Sequence, residues 1–318
     1  MSPNSDRVVH AIAADNKIRC MAAVTTALVS EACRRHRTFP TASVALGRSL
    51  TGALLLGRTL KDLEKITVHF QCDGPIGNII TQADAHGKVR GYVSNPEADS
   101  VQMNANGKFD VRAVVGAGTL YVIRDAGFEI GLMKEPYRGS VPIVSGEIGE
   151  DLAYYLAKSE QINSAVGIGV LMRIEQFEAN KSVGFDMPQF SLDQLKVAAA
   201  GGYIIQIMPS ADEELIRHLE QTIQGAPSST DMVRDGQSPV EMLTQLLGDL
   251  DINVLDEIEP SFHCACSKDR ALLIISALGN EEVEDMLAKD KGAELICHFC
   301  NEAYRISEDE LAQILISN

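Results

Sequence analysis

A chain of 318 residues carries a formal net charge of −16, with 45% hydrophobic and 23% charged residues, 5% aromatics and no tryptophan; it is long enough for two domains, or for one large domain with an appendage. It has neither the basic footprint that phosphate backbones require nor the aromatic platforms on which single strands stack, which excludes nucleic acid as an expected partner, and anionic membranes repel it as well. No apolar run approaches the ~20 residues of a membrane-spanning helix, and the start Met1-Ser2-Pro3-Asn4-Ser5-Asp6-Arg7 has no basic stretch followed by an apolar core, so a cytoplasmic location is expected.

Val8 to Asp15 reads as a short strand, Asp15-Asn16 as a hairpin turn and Ile18 to Val24 as its partner. Thr25 to His36 predicts a helix and Ser43 to Leu60 a second, with Leu46, Leu50, Leu54 and Leu55 spaced as one apolar face and Pro40 where that helix would begin. Alternation over Ile66 to Cys72, then the turn Asp73-Gly74-Pro75, predicts strands at 66–72 and 76–83, with more at 89–94, 111–115, 118–125 and 141–144. A helix at 151–158 and buried strands at 165–174 and 202–208 complete an α+β body of largely antiparallel sheet.

After Pro209 the character changes. Residues 1–210 hold 21 basic and 21 acidic residues, 211–260 hold 2 and 12, and 261–318 hold 5 and 11, so the whole net charge lies after residue 210. A helix is expected over Asp212 to Ile223, linker composition over 225–230, and a second helix opened by the capping box Ser238-Pro239-Val240-Glu241 and ending near Gly248. Their apolar stripes (Leu215, Ile216, Leu219, Ile223; Met242, Leu243, Leu246, Leu247) have nothing of their own to bury against, so 211–260 reads as an acidic, marginal helical linker that must dock on a neighbour. Residues 261–318 then predict helices at 268–278, 281–287 (capped by Asn280) and 307–316 (opened by a Ser307/Glu310 box). So short a domain has a thin core and calls for a staple.

Cysteine supplies it. Four of the seven cysteines form two close pairs, Cys264-Ala265-Cys266 and Cys297-His298-Phe299-Cys300, and an all-cysteine quartet is a common tetrahedral ligand set for structural zinc. The plain alternative is zinc with no further role. Against it, a disulfide within CxC or CxxC closes a very small ring and is oxidising and reversible, and loss of the metal would unfold so small a domain. His263 and His298 flank the pairs, but four thiolates already complete a tetrahedron. Cys20, Cys33 and Cys72 stand alone in the body and read as buried small hydrophobes; Cys33 with His36 has no orienting partner for nucleophilic work.

Nothing points to an enzyme. The chain has no GxxxxGK[ST] loop, no complete dinucleotide fingerprint at Gly116-Ala117-Gly118 or Gly167-Ile168-Gly169, and no GxSxG around Ser145. Arg34-Arg35-His36-Arg37 reads as a solvated helix end.

The motifs Arg34-Arg35-His36-Arg37-Thr38-Phe39-Pro40-Thr41-Ala42-Ser43, Gly74-Pro75-Ile76-Gly77, Tyr92-Val93-Ser94-Asn95-Pro96, Val144-Ser145-Gly146-Glu147, Ala199-Ala200-Gly201-Gly202 and above all Phe262-x-Cys264-x-Cys266-Ser267 with Cys297-x-x-Cys300 resemble the 33 kDa chaperonin family of redox-regulated heat-shock holdases over essentially the whole chain. Asp269 stands where that family usually has glutamate, and the stretch from about Arg173 to Val197 is longer than its pattern. The resemblance implies a reduced, inactive state with zinc on Cys264, Cys266, Cys297 and Cys300, and oxidation to Cys264–Cys266 and Cys297–Cys300 disulfides with zinc release. It further implies undocking of the linker, ATP-independent capture of unfolded clients, and a homodimer when active. Two other classes share the cysteines. A zinc-ribbon adaptor or nucleic-acid binder would carry a basic or aromatic face; a thiol oxidoreductase would use CxxC without metal.

Overall fold

The computed structural model describes residues 5–100, 109–125, 128–129, 132–133, 136–174 and 194–317; most of the long stretch noted above lies outside them. The chain divides into two units, Met1–Phe262 and His263–Asn318.

The first unit opens with β1 (Arg7–Ala13) and β2 (Ile18–Val24), joined by a turn in which Ala14, Asp15 and Asn16 all adopt the left-handed region. Next come α1 (Thr26–His36), α2 (Pro40–Gly57), β3 (Lys65–Cys72), β4 (Asn78–Asp84), β5 (Lys88–Val93), α3 (Val111–Val115) and β6 (Gly118–Asp125). The two-residue strands β7 (Phe128–Glu129) and β8 (Leu132–Met133) precede β9 (Tyr137–Pro142), α4 (Gly149–Lys158), β10 (Ser164–Ile174) and β11 (Leu195–Ile207). The acidic segment supplies α5 (Glu213–Gly225), α6 (Ser229–Arg234), α7 (Pro239–Leu247), β12 (Ile252–Ile258) and β13 (Ser261–Phe262).

Two sheets carry the unit. One is ordered β10-β11-β2-β1-β12 and antiparallel throughout; the other is ordered β13-β5-β4-β3-β6-β9 and antiparallel except for the parallel β13/β5 pair. The expected α+β class with largely antiparallel sheet is what folds. α2 packs against both sheets. Sequence spacing gives α2 one apolar face; in the structure all 18 of its residues are buried, because a helix enclosed by two sheets has no solvent side. Most of its polar side chains find partners: Thr51 shares a hydrogen bond with Thr25 at 2.8 Å, Ser49 with Thr81 at 3.0 Å, and Arg48 Nη1 donates to Glu147 Oε2 at 2.5 Å, although Arg48 Nε has none.

Strand alternation gives the five-stranded sheet two apolar faces. Val8, Met21, Ala23, Ala200 and Ile204 belong to the core around α2, whereas Val9, Ala11, Cys20, Ala22, Val24 and Ile205 lie on the opposite face. That second face is covered by Leu219 of α5, Met232 of α6 and Met242, Leu243, Leu246 and Leu247 of α7, all buried. Each such side chain contributes about 1.5–3 kcal/mol on burial, which is what holds the segment down.

Three local expectations are corrected. Residues 111–115 are not a strand but one helical turn, because Asp110 accepts from Ala113 N at 3.2 Å and Gly116, at φ 69°, ends the turn. The end of the expected 225–230 linker is instead the start of α6, whose Ser229 and Thr230 are buried under a Ser228 cap. β12 was not anticipated at all: its Ile252, Val254 and Ile258 are interrupted by acids, and its pairing with β1 is long-range.

β12 and β13 form a strap across the edges of both sheets. Asp256 pairs with the guanidinium of Arg58, which is nearly enclosed, Glu259 pairs with Arg7 at 2.7 Å, and Ser261 N donates to Gly87 O at 3.0 Å. Phe262 lies under the Arg35 guanidinium, 5.7 Å from its ring centre. Arg34 and Arg35 both clasp Glu31, so part of the basic run is internally neutralised.

α6 reaches the sheet only because glycine stands beneath it. A Cβ on Gly169 would lie 2.5 Å from Thr230 Cγ2. Gly169→Val is therefore expected to lift α6 at a cost of about 1–3 kcal/mol, read as faster amide exchange over residues 229–234 than elsewhere in the sheet.

The second unit consists of α8 (Lys268–Ser276), α9 (Asn280–Lys289), the hairpin β14 (Gly292–Ile296) and β15 (Ala303–Ser307), and α10 (Glu308–Ser317). Its core is five buried side chains, Ala271, Ile275, Val283, Ile306 and Leu311. The Ser307/Glu310 box forms, with Ser307 N donating to Glu310 Oε2 at 2.9 Å and Glu310 N to Ser307 Oγ at 3.3 Å.

Candidate metal centre

Two backbone devices bring the four C-terminal cysteines together. Cys264 and Cys266 lie in the extended segment that enters α8, where Ser267 caps the helix by accepting from Arg270 N at 3.2 Å. Arg270 Nη1 reaches back to Ala265 O at 2.8 Å and so fixes the residue between the two thiols. Cys297 and Cys300 occupy the β14–β15 connection. There Cys297 N donates to Glu302 O at 2.9 Å, while Cys300 N and Asn301 N both donate to Cys297 O, at 3.3 and 2.7 Å. Asn301 takes φ 57°, a left-handed turn that asparagine tolerates.

All four Sγ atoms lie within 4.8 Å of one another, and among the described residues this is the group of cysteine, histidine and acidic side chains able to surround a metal ion. Sγ of Cys264 is 3.7 Å from that of Cys297, and Sγ of Cys266 is 3.3 Å from that of Cys300. Bonds of about 2.3 Å in a tetrahedral thiolate site set the sulfurs roughly 3.8 Å apart. The donor set, the near-tetrahedral spacing and the free state of every thiol fit a metal. Neither His263 nor His298 joins the cluster.

Desolvation pushes Cys297 and Cys300 above the ordinary thiol range. A coordinated thiol is deprotonated outright, so a cation here releases protons as it binds. Tyr304, on β15, donates from its hydroxyl to Cys266 Sγ at 3.1 Å. The sequence reading missed this residue; its only signal is a place on the strand that leaves the CxxC turn.

The other three cysteines are elsewhere, in the first unit. Cys20 is buried on the sheet face under α5–α7, donates to Ala11 O at 3.5 Å, and is pushed up to about 12 by burial. Burial, reinforced by the charges of Asp73 and Asp151, does the same for Cys72, again to about 12. Burial also raises Cys33, in the direction opposite to what a nucleophile beside His36 needs.

Known proteins place the chain. The family model described as Hsp33 protein matches residues 6–307. The chain belongs to the Hsp33 family. A 33 kDa chaperonin of Shouchella clausii is 44% identical over 311 residues, covering 98% of this chain and 97% of that protein. Another, from Listeria monocytogenes serotype 4b, is 43% identical over 312 residues, covering 98% of each. The crystal structure of the Hsp33 homologue of Thermotoga maritima superposes with a TM-score of 0.82 at 33% identity, covering 99% of this chain and 98% of that one. Hsp33 proteins carry chaperonin names rather than enzyme names, which agrees with a sequence devoid of nucleotide loops. No described helix of this Hsp33 member is long and apolar enough to cross a membrane.

Proposed function

We propose that this chain is a cytoplasmic, redox-regulated, ATP-independent holdase. In the reduced state Cys264, Cys266, Cys297 and Cys300 hold zinc and the chain is inactive. Four thiols whose Sγ atoms lie within 4.8 Å of one another suit zinc above other divalent ions, and the ion lends the second unit the fold that five buried side chains do not secure. Under oxidative unfolding stress, the family resemblance pairs Cys264 with Cys266 and Cys297 with Cys300. As each S–S bond forms, its two thiols give up two electrons and two protons to one peroxide, whose O–O bond breaks and which leaves as two waters, and the ligand set is gone.

Three functional parts follow from this reading: a body over 1–210 that binds clients and dimerises, an acidic linker over 211–260, and a redox-switch domain over 261–318. The observation that carries the proposal is the convergence of four free thiols in a thin-cored unit. Support for autoinhibition comes from α5, α6 and α7, whose buried side chains cover an apolar sheet face that would otherwise be open to unfolded polypeptide. A linker that leaves exposes both its own stripe and that face.

The test compares zinc-loaded and peroxide-treated protein in suppressing aggregation of a thermally unfolded client, without nucleotide, while free thiols and released zinc are counted. Protection is expected only after loss of about four thiols and one zinc per chain. Equal protection by both states, with no zinc released, would sink the proposal.

A further inference from the structure

The hydroxyl of Tyr304 touches the metal centre without being a ligand. β15 pairs with β14 so that Tyr304 stands opposite Leu295, and alternation along the strand puts its side chain on the same face as the buried Ile306. Its half-buried ring packs against the small core of the second unit. From there the hydroxyl crosses to the segment that enters α8 and donates to Cys266 Sγ at 3.1 Å, a contact spanning 38 residues of chain.

The cysteine pairs are served by different kinds of donor. Cys297 and Cys300 sit in a turn whose own backbone turns toward them, the N–H groups of Phe299 and Cys300 toward Cys297 and that of Glu302 toward Cys300. Cys266 stands outside that turn, and the hydroxyl that reaches it belongs to a side chain. A thiolate attacks through a sulfur lone pair. A hydroxyl donating to that sulfur stabilises its charge and lowers the electron density it offers to an electrophile. Hydrogen bonds from outside a ligand set tune metal-bound sulfur in the same way.

We infer that Tyr304 is a positioning residue that restrains Cys266: its hydroxyl slows the attack of that sulfur on peroxide and so sets how readily the centre is oxidised. This rests on the metal-loaded, peroxide-sensitive centre proposed above and adds to it a side chain that governs its reactivity. In the restrained step the Cys266 sulfur attacks one peroxide oxygen with a lone pair, the O–O bond breaks, and hydroxide leaves behind a sulfenic acid. A second thiolate, that of Cys264 in the pairing the family resemblance gives, then forms the S–S bond and expels a second hydroxide. Both hydroxides take protons from solvent and become water.

Tyr304→Phe keeps the ring in the core and deletes only the hydroxyl. The full-length chain and this variant are reduced, loaded with one equivalent of zinc, freed of reductant and exposed briefly to iodoacetamide, whose carbon forms an S–C bond with sulfur as iodide leaves. The remaining thiols are blocked with a heavier label in denaturant, and fragment mass spectra locate the first label at each cysteine. The variant is expected to retain its zinc and to show labelling at Cys266 raised at least about threefold relative to Cys264, with faster zinc release by peroxide. A merely loosened unit would free all four thiols together and leave that ratio unchanged. An unchanged ratio overturns the inference. So does a Tyr304→Phe chain that no longer binds zinc, because the hydroxyl would then be a structural tie. A wild-type chain that binds no zinc fails the metal centre itself, and this inference with it, whereas a zinc-bound wild type matched in its labelling by Tyr304→Phe fails the inference alone.

Discussion

Cys300→Ser is expected to reduce bound zinc from one per chain to near zero and to unfold residues 263–318 while leaving the first unit intact. Cys300 is 3% exposed, and serine replaces it with little change of volume, so packing alone predicts a small effect. The large effect comes from the ligand set. Three thiolates leave a coordination position open, and structural zinc in small peptides is worth about 10–16 kcal/mol. Five buried side chains cannot replace that. Metal analysis and limited proteolysis read the two consequences separately. Cys72→Ser, in the first unit, is the control and should keep its zinc. A Cys300→Ser protein with full zinc, or with protease-resistant residues 263–318, would show that the quartet is not the staple.

The second large effect is expected from Leu243→Asp. Leu243 is fully buried in the apolar cluster that includes Val9, Ala11 and Cys20 of the sheet face, and a carboxylate there would be surrounded by apolar side chains. Losing the leucine contacts costs about 2–5 kcal/mol before the charge is counted. That exceeds what a linker of this kind has in reserve, so residues 211–260 should undock with zinc still bound. The reduced variant is then expected to suppress aggregation of a thermally unfolded client without peroxide. A reduced variant whose linker is cut rapidly by protease yet gives no protection would refute autoinhibition by docking, while leaving the metal centre untouched.

The candidate centre was legible because its signal is chemical and local: two cysteine pairs at short spacing suffice to name four ligands. The linker was legible in its caps and stripes, since Ser238 with Glu241 closes a box and Asp212 accepts from Leu215 N at 2.9 Å, as their spacing suggests. What escaped depends on distant partners. β12 shows only scattered apolar residues among acids, and its place is fixed by β1 and by Arg58 and Arg7, far away in the chain. α2 resembles a surface helix until two sheets enclose it. The valines of α3 favour a strand by type, and a single aspartate cap outweighs them. Tyr304 was invisible as a partner of Cys266 because a strand tyrosine has many uses.

The order of strands in the larger unit has a consequence for synthesis. β1 is made first and soon finds β2, but its other edge is filled by β12, and β2 is flanked by β11. Both neighbours emerge near the end of the unit. Throughout translation the first hairpin therefore waits with open backbone edges and an uncovered apolar face, the condition in which nascent chains aggregate. The ribosome must release nearly the whole body before its oldest strands are sealed. A truncated or stalled chain ending before Ile252 would lack β12 and leave the outer edge of β1 unpaired.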